Sequence, residues 1–204
     1  MSEPLFTSDL HLDHANVIRY CKRPWLRDGD EIKNEEGQLV WVDQHIAEER
    51  KNEMNEALIA NWNKTVGQKD TVYCLGDIAF VTSEDRLREL IGRLNGHIHL
   101  IRGNHDNRKI FKKAADVFAS IRELNKITWD KQKIILCHYS MRVWDCSHRG
   151  SWHLYGHSHG LLPGHGKSFD VGVDAWDYKP VTFSQVRQKM DSLDIQFDHE
   201  GRIR

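Results

Sequence analysis

Apolar residues come in short blocks along this chain, and most blocks end on a polar motif. Leu5–Ser8, Thr71–Leu75, Ile98–Ile101, Lys133–Cys137 and Trp152–Tyr155 read as strands, because each is short, rich in apolar residues and leads within two residues into Asp, Gly or His. Between them the spacing becomes helical. His14–Tyr20 predicts a short helix stopped by Arg23–Pro24. From about Asp43 to Trp62, residues Ile46, Met54, Leu58 and Trp62 share a face, with Asp43 as the cap. Leu87, Leu90, Ile91 and Leu94 share another, opened by Thr82 and Asp85 at capping-box spacing. Arg108–Ala115 and Ser184–Leu193 complete the helices. Val117–Ile121, Phe169–Val173 and residues 195–197 add strands, and Ile127–Trp129 faces Lys133–Cys137 across a turn at Asp130–Lys131. Strands alternating with helices, then strands in close succession, predict an α/β sandwich of two sheets with helices outside. Without a repeat or a convincing linker, residues 1–204 read as one domain.

Composition narrows the function classes. The chain has 204 residues, and its 29 Lys+Arg nearly balance 30 Asp+Glu, for a formal net charge of -1. That balance does not favour a general nucleic-acid or membrane-surface binder. No apolar stretch approaches the ~20 residues of a membrane span, and the start of the chain reads as a strand, not a signal peptide. Cys21, Cys74, Cys137 and Cys146 form no Cys-x-x-Cys pair. The expectation is a soluble cytoplasmic protein with reduced thiols, Cys74 and Cys137 buried in strands.

Histidine changes the picture: there are 13, and five fall in motifs at the ends of apolar runs. These motifs are Asp9–Leu10–His11, Gly76–Asp77, Gly103–Asn104–His105–Asp106, Cys137–His138 and Gly156–His157–Ser158–His159. A strand end fixes the backbone and lets the next residue project into a cleft. Two divalent metals ~3.5–4 Å apart need a shared anion, and Asp77 can give one oxygen to each ion. Neutral imidazoles and an Asn amide complete such a site, a mixed N/O set that suits Mn, Fe, Zn, Ni or Co better than Ca or Mg. Bound metal lowers the pKa of water to ~7, so a hydroxide held between the ions can attack phosphorus directly. His105, beside Asn104 and free of an assigned metal, is the general-acid candidate for the leaving oxygen.

With these five motifs in order over about three-quarters of its length, the chain resembles the calcineurin-like metallophosphoesterase superfamily, and within it the small single-domain bacterial and phage phosphoesterases. The resemblance implies a four-layer α/β/β/α sandwich with two mixed β-sheets flanked by helices. It implies that Asp9, His11, Asp77 and His159 hold one metal and that Asp77, Asn104, His138 and His157 hold the other, with Mn the first choice. His105 becomes the catalytic histidine and Asp106 the residue that orients it. The implied reaction is hydrolysis of a phosphodiester, or of a phosphomonoester, in a small phosphorylated or nucleotide-like substrate. The rival readings are a non-catalytic metal-binding scaffold for protein interactions and a nuclease. The full ligand set with His105 argues against the scaffold. Near-neutral charge and the lack of a large appended domain argue against the nuclease.

Further positions are candidates for substrate contact. His14 lies one helical turn from His11, and His153 precedes the last motif on one face of its strand. Arg142 and Arg149 bracket the loop after His138 and are candidates for a phosphate oxygen. Arg102, Arg108 and Lys109 lie around Asn104 as a source of attraction for phosphate. Asp170 and Asp174 are candidates to support a ligand histidine, with a turn role as the alternative. Trp144 and Trp176 are candidates to line a pocket. Segment 28–51 is either a flap shaping access or a solvated hairpin leading into a helix, and the solvated reading is preferred.

Overall fold

The computed structural model describes residues 2–195; the strand expected over 195–197 lies almost wholly outside them. Two mixed sheets are flanked by helices, as the layered α/β expectation requires. The first sheet contains β1 (Leu5–Thr7), β4 (Thr71–Cys74), β5 (His97–Ile101), β6 (Ser120–Arg122) and β11 (Val181–Thr182). Its order is β11-β1-β4-β5-β6, parallel except for the antiparallel β1/β11 edge. The second contains β7 (Leu124–Trp129), β8 (Gln132–Cys137), β9 (Trp152–Tyr155) and β10 (Ser168–Asp170), ordered β10-β9-β8-β7. A separate hairpin, β2 (Glu31–Lys33) and β3 (Leu39–Trp41), occupies the middle of segment 28–51.

One core lies between the first sheet and helices α1 (Ala15–Tyr20), α2 (Gln44–Thr65), α3 (Glu84–Ile91) and α4 (Arg108–Lys113). Met54, Leu58 and Trp62 of α2 and Leu87 and Leu90 of α3 meet Val72, Ile98 and Leu100 there. The second core joins Phe6, Leu75 and Ile101 to Ile134, Leu136, Trp152 and Leu154 of the other sheet. Helix α5 (Phe183–Asp191) closes it, with Phe183 stacked on Trp152 at 5.6 Å. Asp43 caps α2, accepting from the His45 N–H. Ser83, not Thr82, caps α3, because its side chain reaches the Arg86 N–H one turn on. The strand expected from 117 begins at Ser120, since a 3-10 turn over Ala115–Val117 comes first. Asp130 and Lys131 both take positive φ, as a tight hairpin turn between twisted strands demands.

The hairpin is solvated and docks on α1. Arg19 bonds Glu31 at 2.8 Å, and the Trp41 indole donates to Asn16 at 3.0 Å. Arg50 of α2 grips Asp30 at the hairpin's base, 2.8 Å from Nε to Oδ2. Among the described residues no helix is long and apolar enough to cross a membrane.

Candidate metal centre

The parallel strands β1, β4 and β5 all point the same way, so their C-terminal ends deliver the first three motifs side by side. Asp9 and His11 bond back onto the second motif's loop: Asp9 N–H to Gly76 O at 3.0 Å and His11 N–H to Asp77 O at 2.9 Å. Strands β8 and β9 bring His138 and residues 157–159 across from the other sheet, and the Gly156 N–H donates to His138 O at 2.9 Å. The loops are tight. Asp9, His11, Asp77, His157 and His159 all adopt left-handed φ, between 48° and 67°. Non-glycine residues rarely do this, and such strain persists only where surrounding bonds hold it. Gly76 has φ +104°, and a Cβ there would lie 2.6 Å from both Gly103 N and His138 Nδ1. A Cβ at Gly156 would collide with Ser8 Oγ and come within 2.5 Å of Asp9 Oδ2. Glycine at these positions lets the loops approach one another.

Two groups of ligand-capable atoms result: Asp9, His11 and His159; and Asp77, His138 and His157. Asn104 joins the second, its Oδ1 3.0 Å from His138 Nε2. Between the groups stands one atom. Asp77 Oδ2 lies 3.6 Å from His11 Nε2 and 3.4 Å from His138 Nε2. Asp77 Oδ1 is occupied by the His105 N–H at 2.8 Å. Asp77 Oδ2 thus faces both groups, while Oδ1 also accepts from main chain.

The donor set fits divalent cations. His11 Nε2 is buried and has no hydrogen-bond partner, yet two carboxylates face it. His138 Nδ1 lies 2.7 Å from Leu75 O. A carbonyl can only accept, so Nδ1 carries a proton, and Nε2, facing the Asp77 and Asn104 oxygens, is left for a second proton or a metal ion. Burial raises the Asp9 carboxyl to about 7. Burial opposes protonation of His159, but its hydrogen bond to Asp174 and the nearby carboxylates outweigh this and raise it to about 10. His138 is raised in the same sense, with the Asp77 hydrogen bond overcoming burial. Lone pairs and carboxylates converging on one cleft call for positive charge, and a divalent ion competes for the same atoms as those protons.

His105 is exposed, with its ring 5.2 Å from His11 and 5.6 Å from His14. His14 also belongs to the cluster: its Nδ1 is 3.2 Å from His11 Nδ1, and its ring stacks on Phe80 at 4.4 Å. Asp106 does not face His105. Its carboxylate accepts the backbone N–H groups of Asp77, Ile78 and Gly103 at 2.8–3.0 Å, so it is a buried backbone brace. His153 is likewise corrected. It is fully buried, its Nδ1 lies 3.1 Å from Ile135 O, and its Nε2 accepts from the Met141 N–H. It anchors the loop after His138 and is screened from substrate.

Arg142 and Arg149 lie exposed on that loop, and among the described contacts neither meets a ligand residue. Trp144 is buried, donating to Ser151 O, and Trp176 donates to Asp170 O, so both are structural. Asp174 supports His159 at 2.7 Å. Asp170 instead braces the loop through Ser158 Oγ, Gly160 N and Gly172 N. Arg102 is paired with Glu123 beside a cleft lined by Asn104, Asn107, Arg108, Lys109 and Tyr139. Of the cysteines, Cys74 is buried and Cys137 only partly so. Sequence reasoning missed Arg23, taken there for a helix stop. It also missed Phe80 and Tyr139, exposed aromatics directly after the second and fourth motifs. Their position one to three residues beyond a ligand was the available signal.

The chain belongs to the calcineurin-like phosphoesterase superfamily, whose domain model matches residues 39–168. That membership carries the activity class of metal-dependent phosphoester hydrolysis. An uncharacterised protein of Methanocaldococcus jannaschii is 33% identical over 187 residues, covering 88% of this chain and 86% of its own. The Gene 66 protein of Mycobacterium phage D29 is 25% identical, covering 95% of this chain and 98% of its own. A protein of unknown function from Aquifex aeolicus has a similar fold, at TM-score 0.66 and 19% identity over 93% of this chain and all of that one.

Proposed function

We propose that this protein is a two-ion phosphoesterase acting in the cytoplasm on phosphodiesters of small, nucleotide-like substrates, with Mn as the first-choice metal. The observation that carries the two-ion reading is Asp77 Oδ2, held within 3.6 Å of histidines from both ligand groups. Asp9, His11, His159 and Asp77 would hold one ion; Asp77, Asn104, His138 and His157 would hold the other. Bound ions supply the acidity that ionises water near neutral pH and the charge that offsets build-up on phosphoryl oxygens.

The chain's own residues do the rest. Attack of water on phosphorus breaks the ester P–O bond, and the leaving oxygen needs a proton. His105 would give it from a ring nitrogen, a role supported by a backbone fixed by Asp77 Oδ1 and a ring at the surface. No side chain becomes covalently attached. Phe80 and Tyr139 support a substrate with an aromatic group. Both are exposed, Phe80 with its ring 5.7 Å from His105 and Tyr139 at 4.9 Å from His138 and His157. Four free cysteines suit a reducing compartment.

The test is hydrolysis of bis-(p-nitrophenyl) phosphate against p-nitrophenyl phosphate by metal-stripped protein, with Mn, Ni, Zn, Co and Mg restored separately. Metal-restored turnover favouring the diester is expected. Monoester preference overturns the diester reading, and two bound ions with no turnover favour the scaffold. Asp77→Asn should lower metal content below two ions per chain and cost at least ~100-fold in turnover.

A further inference from the structure

Arg23 lies just beyond α1 and is 1% exposed. A fully buried arginine is rare unless every donor is matched. Here all five N–H groups have an acceptor. Nε donates to Asp174 Oδ1 and Nη2 to Asp174 Oδ2, both at 2.8 Å. Nη2 also donates to Asp9 O at 2.6 Å, and Nη1 donates to Leu10 O at 2.9 Å and Met54 Sδ at 3.3 Å. Asp174 Oδ2 in turn holds His159 Nδ1 at 2.7 Å. One guanidinium therefore grips the main chain of the first motif and, through Asp174, the ring of the last.

Cys21, His159 and Asp174 also bring ligand-capable atoms together. That trio is not a further cation site. Both Asp174 oxygens already face a fixed positive charge, which would repel a second cation at hydrogen-bond distance. Arginine is needed for the role: its planar fork meets a carboxylate side-on while its outer N–H groups reach carbonyls, and a lysine ammonium has no such fork.

We propose that Arg23 is a positioning residue for the ion group Asp9–His11–His159, holding Asp9 in its left-handed backbone and His159 with Nε2 towards the cleft. The proposal rests on the two-ion reading. A clamp of this kind acts on one ion group only. Conserving the charge as Arg23→Lys does not restore it.

The test is cobalt(II) titration of metal-stripped wild type, Arg23→Lys and Asp174→Asn, followed by visible absorption and calorimetry, with the melting temperature of each metal-free protein measured alongside. Wild type should take up two ions. Both variants should bind one ion 10–100-fold more weakly, with its absorption band altered, and keep the other unchanged. Wild-type affinity at both sites in a folded variant overturns the proposal, as does equal weakening of both ions. Asp174→Asn leaves the Arg23 bonds to Asp9 and Leu10 available, so it carries the test if Arg23→Lys does not fold. A wild-type chain that binds a single ion overturns the two-ion reading; the proposal then stands if that ion is weakened in the variants and falls if it is not.

Discussion

The Asp106 carboxylate accepts the backbone N–H of Asp77 at 2.9 Å, so the third motif holds the main chain of the second. Two more N–H groups, of Ile78 and Gly103, share the same carboxylate. Burial raises its pKa to about 6, against the pull of those N–H groups. Asp106→Ala leaves three donors unmatched at ~1–3 kcal/mol each. The expected loss of about 3 kcal/mol or more lowers Tm by roughly 6 °C or more. A wild-type melting curve for Asp106→Ala would sink the brace. A variant of normal Tm that fails only with poor leaving groups would return Asp106 to His105.

Among the described residues His105 belongs to neither ligand group, and its exposed ring lies beside His11 and His14. His105→Ala should keep wild-type metal content and lose ~10²–10⁴ in kcat, with the largest loss for the least acidic leaving groups. A series of aryl and alkyl phosphodiesters reads this directly. Equal losses across the series contradict proton donation by His105.

Phe80 and Tyr139 stand on two sides of the histidine cluster with much of each ring exposed. If a base stacks there, Phe80→Ala and Tyr139→Ala should each raise KM for a nucleoside diester by about fivefold or more, corresponding to ~1 kcal/mol or more of stacking. KM for a methyl-substituted diester should stay within twofold (about 0.4 kcal/mol). Equal KM changes for both substrates would remove the aromatic group from the proposed substrate.

Asp30 and Arg50 tie the surface hairpin to α2, and the Arg50 hydrogen bond lowers Asp30 below the usual carboxylate range. A depressed folded-state pKa means stability that is present above the unfolded value of ~3.9 and lost as pH falls through the folded value. Wild type should therefore exceed Asp30→Asn in urea midpoint at pH 7, and the gap should close as pH falls below about 4. A gap independent of pH would show that the carboxylate's charge is not what anchors the hairpin.

The sequence by itself marked most of the elements and the candidate ligand types, though not the edge strand Val181–Thr182. Each candidate ligand motif follows its own short apolar run, so local periodicity was enough to mark it. The capping of α2 and the hairpin at Asp130–Lys131 were legible for the same reason: their partners lie within a few residues. Tertiary structure decided what depends on distant approach. Arg23 and Asp174 are 151 positions apart, and nothing local in either predicts a buried ion pair. Asp106 and His153 carry the right chemistry, but the turn after His105 sends one to the backbone, and strand alternation sends the other into the core. That Asp77 Oδ2 faces His11 and His138 together, while Oδ1 takes the His105 N–H, is set by how β4 and β5 end side by side. A sequence records which donors exist, whereas packing of the two sheets decides which lone pairs face each other.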